Sequence, residues 1–403
     1  KEVYIEWDET IKSLQDWDFW LTIVKRGVKG YFIGTRTYAA DMPKAGGLSN
    51  DSSDNWIERT DTIKRKHGIP DRPICVSSLG AIPHAKRIAK ILDADFQIMP
   101  SFKPNKYKMI YLLGYNALNP THAVVFSKDG LKDEVVKVIH WIGTDVFILN
   151  GFPYNSLQTM KNTVVNKHID YNLAEYEFTQ KELNGFGIKS RIGGNVPIVP
   201  LPIEIGTENF PLPEKFTIAI YTPSTPDANW KYQLDIMEDI CKALPDISFI
   251  FFGGAKGATE NIEALGWADM KEVIKKSSLL LRLTTHDGLP VAPIEFLMAG
   301  RQVITNTPMP YVEWFSLMYE EGMCCRTKDN FCEIKEKLIN RIRYLHKNYG
   351  SISYNWDEIK NHYLDICGIE KYRQRFQLML EKKEIPQDPQ CRKYYDCGNL
   401  LNG

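Results

Sequence analysis

The chain has 403 residues, of which 43% are hydrophobic and 25% charged, an ordinary globular composition and longer than a single core usually grows, so two domains are expected. Fifty basic residues offset fifty acidic ones, which disfavours nucleic acid as a partner, although a local basic patch would be invisible in that sum. Eight scattered cysteines without a Cys-x-x-Cys pair exclude a common zinc-site spacing and fit reduced thiols in a cytoplasmic protein; a Cys391/Cys397 bridge stays open for an oxidising compartment. No apolar run reaches the roughly 18 to 20 residues that span a bilayer, and the N-terminus shows no signal peptide, so a soluble chain is expected.

Short apolar runs alternate with helical patterns, which is the pattern of βαβ units and parallel sheets. A first series of strands is expected at Tyr31–Gly34, Ile74–Ser77, Met109–Leu113, Ala123–Phe126 and Val136–His140, with helices at Asn55–His67, closed by Gly68, and at Ala85–Leu92. The segment Val196–Pro213 carries five prolines in 18 residues and reads as an extended connector between domains. A second series follows: strands at Phe216–Tyr221, Ile247–Phe252, Leu279–Leu283 and Val303–Thr305, helices near Tyr232–Ala243, Met270–Lys276 and Pro293–Ala299, then helical stretches to about residue 385. The reading divides the chain into an acceptor-side domain, 1–205, a nucleotide-sugar domain, 206–375, and a tail, 376–403, whose helix returns to the first domain. Two such halves place their strand ends across a cleft, where doubly wound sheets bind ligands.

The most informative stretch is Gly266 to Pro308. The strand at Leu279–Leu283 runs into Thr-Thr-His-Asp-Gly, and a helix then opens near Pro290 and Pro293 and ends at Gly300. Its first turn presents free N–H groups and the positive dipole end, a place for a diphosphate. Asp287 and Glu295, eight apart, can both reach that pocket, one for the sugar and one for the ribose; spacing alone leaves open that Asp287 caps the helix and Glu295 is a surface charge.

The segment THDGLPVAPIEFLMAGRQVITNTP resembles the donor-binding signature of the retaining GT-B glycosyltransferases of family 4. The resemblance implies two Rossmann-like domains facing each other and transfer of a sugar from a nucleotide-diphosphate sugar to an acceptor hydroxyl with retention. No metal or cofactor is implied. Asp287 and Gly288, followed by Leu289, stand at the family's Glu-Gly position, and Glu295 is its second carboxylate. Gly266 and the following WADMKEVIKKSS resemble the element bordering the base, and Tyr354-Asn355-Trp356 the opening of the late helix.

The first half resembles the family more loosely. Thr35–Tyr38 followed by Gly46 and Gly47 is similar to its phosphate-approaching loop, and His140, ending Val138-Ile139-His140 before Gly143-Thr144-Asp145, to its cleft-facing histidine. Lys231 matches its phosphate-binding lysine. The glycine and arginine expected just before it are missing, so Arg282 is the substitute cation, with pairing to a neighbouring acid as the alternative. Asp287 where the family has Glu leaves the sugar undetermined. His286 is placed to touch donor sugar or acceptor.

Competing classes stay open. Asp93-Ala94-Asp95 has the letters of a metal-dependent transferase but sits at a helix-to-strand turn. Gly253-Gly254-Ala-Lys-Gly257 lacks the dinucleotide spacing of an NAD-dependent oxidoreductase. A nucleotide- or sugar-binding module without turnover is the third. Glycans, lipid-linked glycans, protein side chains and modified bases remain open as acceptors.

Overall fold

The computed structural model describes residues 21–22, 25–26, 62–68, 72–78, 81–98, 106–115, 132–150, 168–175, 177–192, 210–223, 231–254, 260–284, 287–306, 309, 312–314, 328–351 and 355–386. The expected strands Tyr31–Gly34 and Ala123–Phe126, the glycine pair Gly46 and Gly47, His286, and most of the proline-rich connector lie outside the described residues. Residues 1–73 and 74–403 are separate compact units. In the first, residues 62–67 are helical and end at Gly68, whose φ of +65° is the left-handed stop that glycine supplies without strain.

The second unit contains two parallel sheets. The first takes β1 (Ile74–Ser77), β2 (Asp95–Gln97), β3 (Met109–Leu113), β4 (Val136–Trp141) and β5 (Tyr171–Ala174) in the order β2-β1-β3-β4-β5. Helices α1 (Ile82–Ile91), α2 (Thr144–Asn150) and α3 (Glu177–Gly185) follow β1, β4 and β5. The second sheet takes β6 (Thr217–Thr222), β7 (Ser248–Gly253), β8 (Ile262–Gly266), β9 (Leu279–Arg282), β10 (Gln302–Thr305) and β11 (Glu313–Trp314) in the order β11-β10-β9-β6-β7-β8. Helices α4 (Leu234–Ala243), α5 (Met270–Lys276) and α6 (Val291–Met298) connect its strands, and α7 (Lys328–Lys347), α8 (Trp356–Cys367) and α9 (Ile369–Leu380) follow.

Parallel strands buried on both faces read as unbroken apolar runs. Met109–Leu113 is buried at every position, as is Leu279–Leu281. Each sheet therefore carries two cores. On the second sheet, Ala219, Leu280 and Val303 pack with Ile294 and Leu297 of α6 and Ile359 and Tyr363 of α8, while Ile218, Ile220 and Leu281 pack with α4 and α7 on the other face. On the first sheet, one core holds Ile110, Ile139 and Leu183; the other holds Tyr111, Val138 and Leu173 together with Tyr372, Phe376 and Met379 of α9. The last described helix thus packs on the first sheet; it begins at Ile369, ahead of the tail expected from residue 376. Arg373 Nε donates to the Ile91 carbonyl at 3.0 Å, and Tyr171 Oη donates to the Lys383 carbonyl at 2.7 Å.

Asp93-Ala94-Asp95 forms the turn between α1 and β2, with Asp93 at φ +49° and Asp95 accepting the Tyr107 hydroxyl at 2.8 Å.

Candidate functional site

Register fixes the first wall of the site. His140 pairs with Leu113 on one side and Leu173 on the other, and Trp141 pairs with Ala174, so β4 and β5 end side by side. Just past those ends lie Ile142, Gly143 and Glu175. Asp145 shapes the turn after β4: its carboxylate accepts the Tyr115 and Ile142 N–H groups at 3.0 Å. Burial pushes Asp145 up to about 6 against the pull of those backbone hydrogen bonds.

The second wall is the turn Asp287-Gly288-Leu289 between β9 and α6. Pro290, extended at φ −72° and ψ 122°, stands at the start of α6, and no side chain caps that end. Its N–H groups are left for another partner. Asp287 instead pairs with Arg282, whose Nε and Nη2 donate to Asp287 Oδ2 at 3.0 and 2.5 Å. Burial opposes the Arg282 charge, but Asp287 together with Tyr232 and Tyr221 more than offsets it, and the guanidinium stands above its ordinary range. Arg282 also lies over the rings of Tyr221 and Tyr232, 5.9 and 5.5 Å from their centroids.

Lys231 reaches the same place from the start of the segment leading into α4, its ammonium 5.4 Å from the Tyr232 ring. Burial lowers its pKa; the Asp287 carboxylate pulls it back up while Arg282 pushes it further down. The structure therefore gathers Lys231, Arg282, Asp287, Gly288 and Leu289. Nearby, Tyr221 also meets the ring of Trp267, the exposed residue that follows Gly266, at 6.4 Å.

Glu295 is one turn into α6 and enclosed, with 4% of its surface exposed. Burial lifts it to about 7; Arg87 of α1, 3.7 Å away, works in the opposite direction. His84 lies on the same helix, where burial, then Arg87 and Arg282, lower it to about 4. These shifts place α1 beside both Arg282 and Glu295.

The two walls touch through glycine. A Cβ on Gly143, at φ +102°, would lie 2.3 Å from the Gly288 nitrogen, and one on Gly288 would lie 2.8 Å from Glu175 Oε2 and 3.0 Å from the Ile142 carbonyl carbon. Only a residue without a side chain fits at either position. Glu175 Oε2 accepts the Leu289 N–H at 3.1 Å. His140 is fully enclosed: its Nδ1 bonds the Tyr111 hydroxyl, and its Nε2 faces Glu175 Oε1 at 3.5 Å. Burial holds His140 down to about 3, neutral at any physiological pH.

Sequence reasoning missed Glu175, Tyr111, Tyr372 and Arg87. Glu175 carried no clear signal, since Asn172 interrupts the strand it follows. Among the described residues no group of three or more His, Cys, Asp or Glu is placed to hold a metal ion, and no helix is long and apolar enough to cross a membrane.

No protein-family model matches the chain, and no curated protein matches it either. Solved structures do. HepE of Anabaena, in complex with UDP, aligns with a TM-score of 0.54 at 13% identity, over 76% of this chain and 99% of its own. The lipopolysaccharide outer core galactosyltransferase WaaB aligns at 0.48 and 13% identity, over 76% and 99%. The pneumococcal O-GlcNAc transferase GtfA, in complex with UDP and GlcNAc, aligns at 0.47 and 12% identity; 68% of this chain is covered, but only 56% of GtfA. What this chain shares with HepE is a fold, two parallel-sheet α/β domains of the GT-B kind.

Proposed function

We propose that the protein transfers a sugar from a nucleoside diphosphate sugar to an acceptor hydroxyl. The observation that carries this reading is the meeting of two partly buried cations, Lys231 and Arg282, with the uncapped start of α6 at the ends of the strands of both sheets. Such a place suits a diphosphate: fixed positive charge and free N–H groups stabilise the charge that develops on a departing phosphate. By the resemblance, Glu295 is the acceptor of a ribose hydroxyl and Asp287 the carboxylate that addresses the sugar. The exposed Trp267, beside Tyr221, offers a face for the base.

In the mechanism this supports, Lys231, Arg282 and the α6 dipole supply the stabilisation without a metal. The leaving phosphate oxygen takes the acceptor's proton, so no strong protein base is needed and configuration is retained. The protein's share is positioning. Gly46, Gly47 and His286 remain donor contacts by resemblance alone.

The test is a thermal-shift screen of UDP, GDP, ADP, CMP and their sugar conjugates, with and without divalent metal, alongside NAD; HepE's complex puts UDP first. A ligand that binds the native state raises its apparent stability. A metal-independent shift with one nucleoside diphosphate, lost in Lys231→Ala, is the expected result. A shift with NAD alone, or none, would sink the reading. Glu295→Ala should weaken donor binding, and Asp287→Ala should lower transfer more than affinity. The engagement of Asp287 by Arg282 favours one second reading, binding without turnover, which product analysis separates.

A further inference from the structure

The turn that the proposed donor would touch belongs to the second sheet, yet its backbone is held from the first. The hydrogen bond that reaches across comes from one carboxyl group. Glu175 is 3% exposed, and its Oε2 takes the Leu289 N–H at 3.1 Å. Its other oxygen and His140 Nε2 face each other at 3.5 Å, and neither has a hydrogen-bond partner elsewhere. Beyond His140 the polar path continues to the Tyr111 hydroxyl and from there, at 3.0 Å, to the Tyr372 hydroxyl on α9.

The charge state of this group follows from its neighbours. Burial raises Glu175 well above the ordinary carboxylate range, and the charged groups bearing on it, Asp287 and Asp145, are both acidic; the Leu289 N–H is the one opposing influence. A carboxylate there would be desolvated beside two others, whereas a carboxylic acid avoids that cost. The acid form also fits every contact. Its carbonyl oxygen accepts from Leu289, its hydroxyl points at the unprotonated Nε2 of neutral His140, His140 Nδ1–H donates to Tyr111, and Tyr111 donates to Tyr372.

We infer that Glu175 is a positioning residue of the transfer site: it locks the Asp287–Leu289 turn in register with the first sheet, and so sets where the sugar end of a donor lies. It does so as a hydrogen-bonding group, not as a charge. The inference rests on the nucleotide-sugar reading for its consequence, but the lock itself can be measured without any donor.

Two variants and two readouts decide it. Glu175→Gln keeps a carbonyl for Leu289 and a donor for His140; Glu175→Ala keeps neither. Amide hydrogen exchange of a peptide spanning residues 284–292 should be parent-like in E175Q and at least about tenfold faster in E175A. In binding, E175A should leave UDP affinity within about threefold of the parent while weakening UDP-glucose about tenfold, a split that general destabilisation would not produce; E175Q should keep the parent's ratio. Parent-like exchange in E175A would overturn the lock, and E175Q behaving as E175A would overturn the neutral role. Should E175A not fold, E175Q decides alone: a parent-like exchange rate and affinity ratio support the inference, and a tenfold fall in either overturns it. If the parent binds none of the nucleoside diphosphates, the proposed function fails and takes the sugar-setting role with it, while the exchange result still judges the lock.

Discussion

Glu295 shows how one enclosed side chain sets a pH dependence. Its ordinary value of 4.5 is raised to about 7 by burial, so between those values the folded protein holds a proton that the unfolded chain has released. The stability this contributes is fully present below the unfolded value and is lost as pH rises through about 7. The shift corresponds to something on the order of 3 kcal/mol for so enclosed a group. Glu295→Gln should therefore flatten the fall of urea-measured stability between about pH 4.5 and 7, and an unchanged slope would mean that Arg87 already holds the carboxylate charged. Arg282 and Asp287 work differently. Both side chains are about one-eighth exposed, and each satisfies the other before any ligand arrives. An incoming diphosphate thus competes with a carboxylate already in place, and the cost of separating them tunes how tightly it binds.

At the scale of elements, the contact between the end of β4 and the turn before α6 is made by backbone. Gly143→Ala needs a left-handed conformation costing about 1–3 kcal/mol even before its Cβ meets the Gly288 nitrogen. Gly288→Ala keeps an ordinary φ but drives a methyl into Glu175 and Ile142, and should cost about 1–3 kcal/mol through overpacking. Gly185→Ala, at the end of α3 with nothing within 4 Å, is the control and should be neutral or stabilising by up to about 1 kcal/mol. Denaturation midpoints in urea order the three; equal midpoints would show that the turn has room to retreat. Much of this second wall was legible in the sequence. The run Leu279–Leu283, the prolines at 290 and 293 and Gly300 punctuate a strand, a turn and a helix, and α5 falls on the expected Met270–Lys276. The strands that went unread are β2, three residues long and only half-buried, β8, with exposed positions in an Ile-Glu-Ala-Leu-Gly run, the two-residue β11, and β5. Glu175 was illegible for another reason: its partner Leu289 is 114 residues away, and only the register of β4 against β5 brings its carboxyl to that turn.

For the whole molecule, α9 is the member that ties the last described helices to the first sheet. Phe376 packs its ring 5.0 Å from that of Tyr111 and 4.9 Å from that of Tyr372. Phe376→Ala should cost about 3–5 kcal/mol and, because these rings cover the polar path to Glu175, should speed amide exchange at Leu289 as well. Loss of stability with unchanged exchange there would separate the helix from the turn. A second anchor lies at the connector's end. Arg301, buried after Gly300, donates through Nη1 to the Phe210 carbonyl at 3.1 Å and through Nη2 to the Pro211 carbonyl at 2.7 Å, so the chain is pinned to the second sheet's domain where it arrives. It leaves again at Gly368, where α8 on one core gives way to α9 on the other and where a Cβ would lie 2.5 Å from the Leu364 carbonyl oxygen. The chain thus joins the second sheet's core at two carbonyls held by Arg301 and leaves it at a glycine with no room for a side chain, so hydrogen bonding fixes the one join and steric crowding the other.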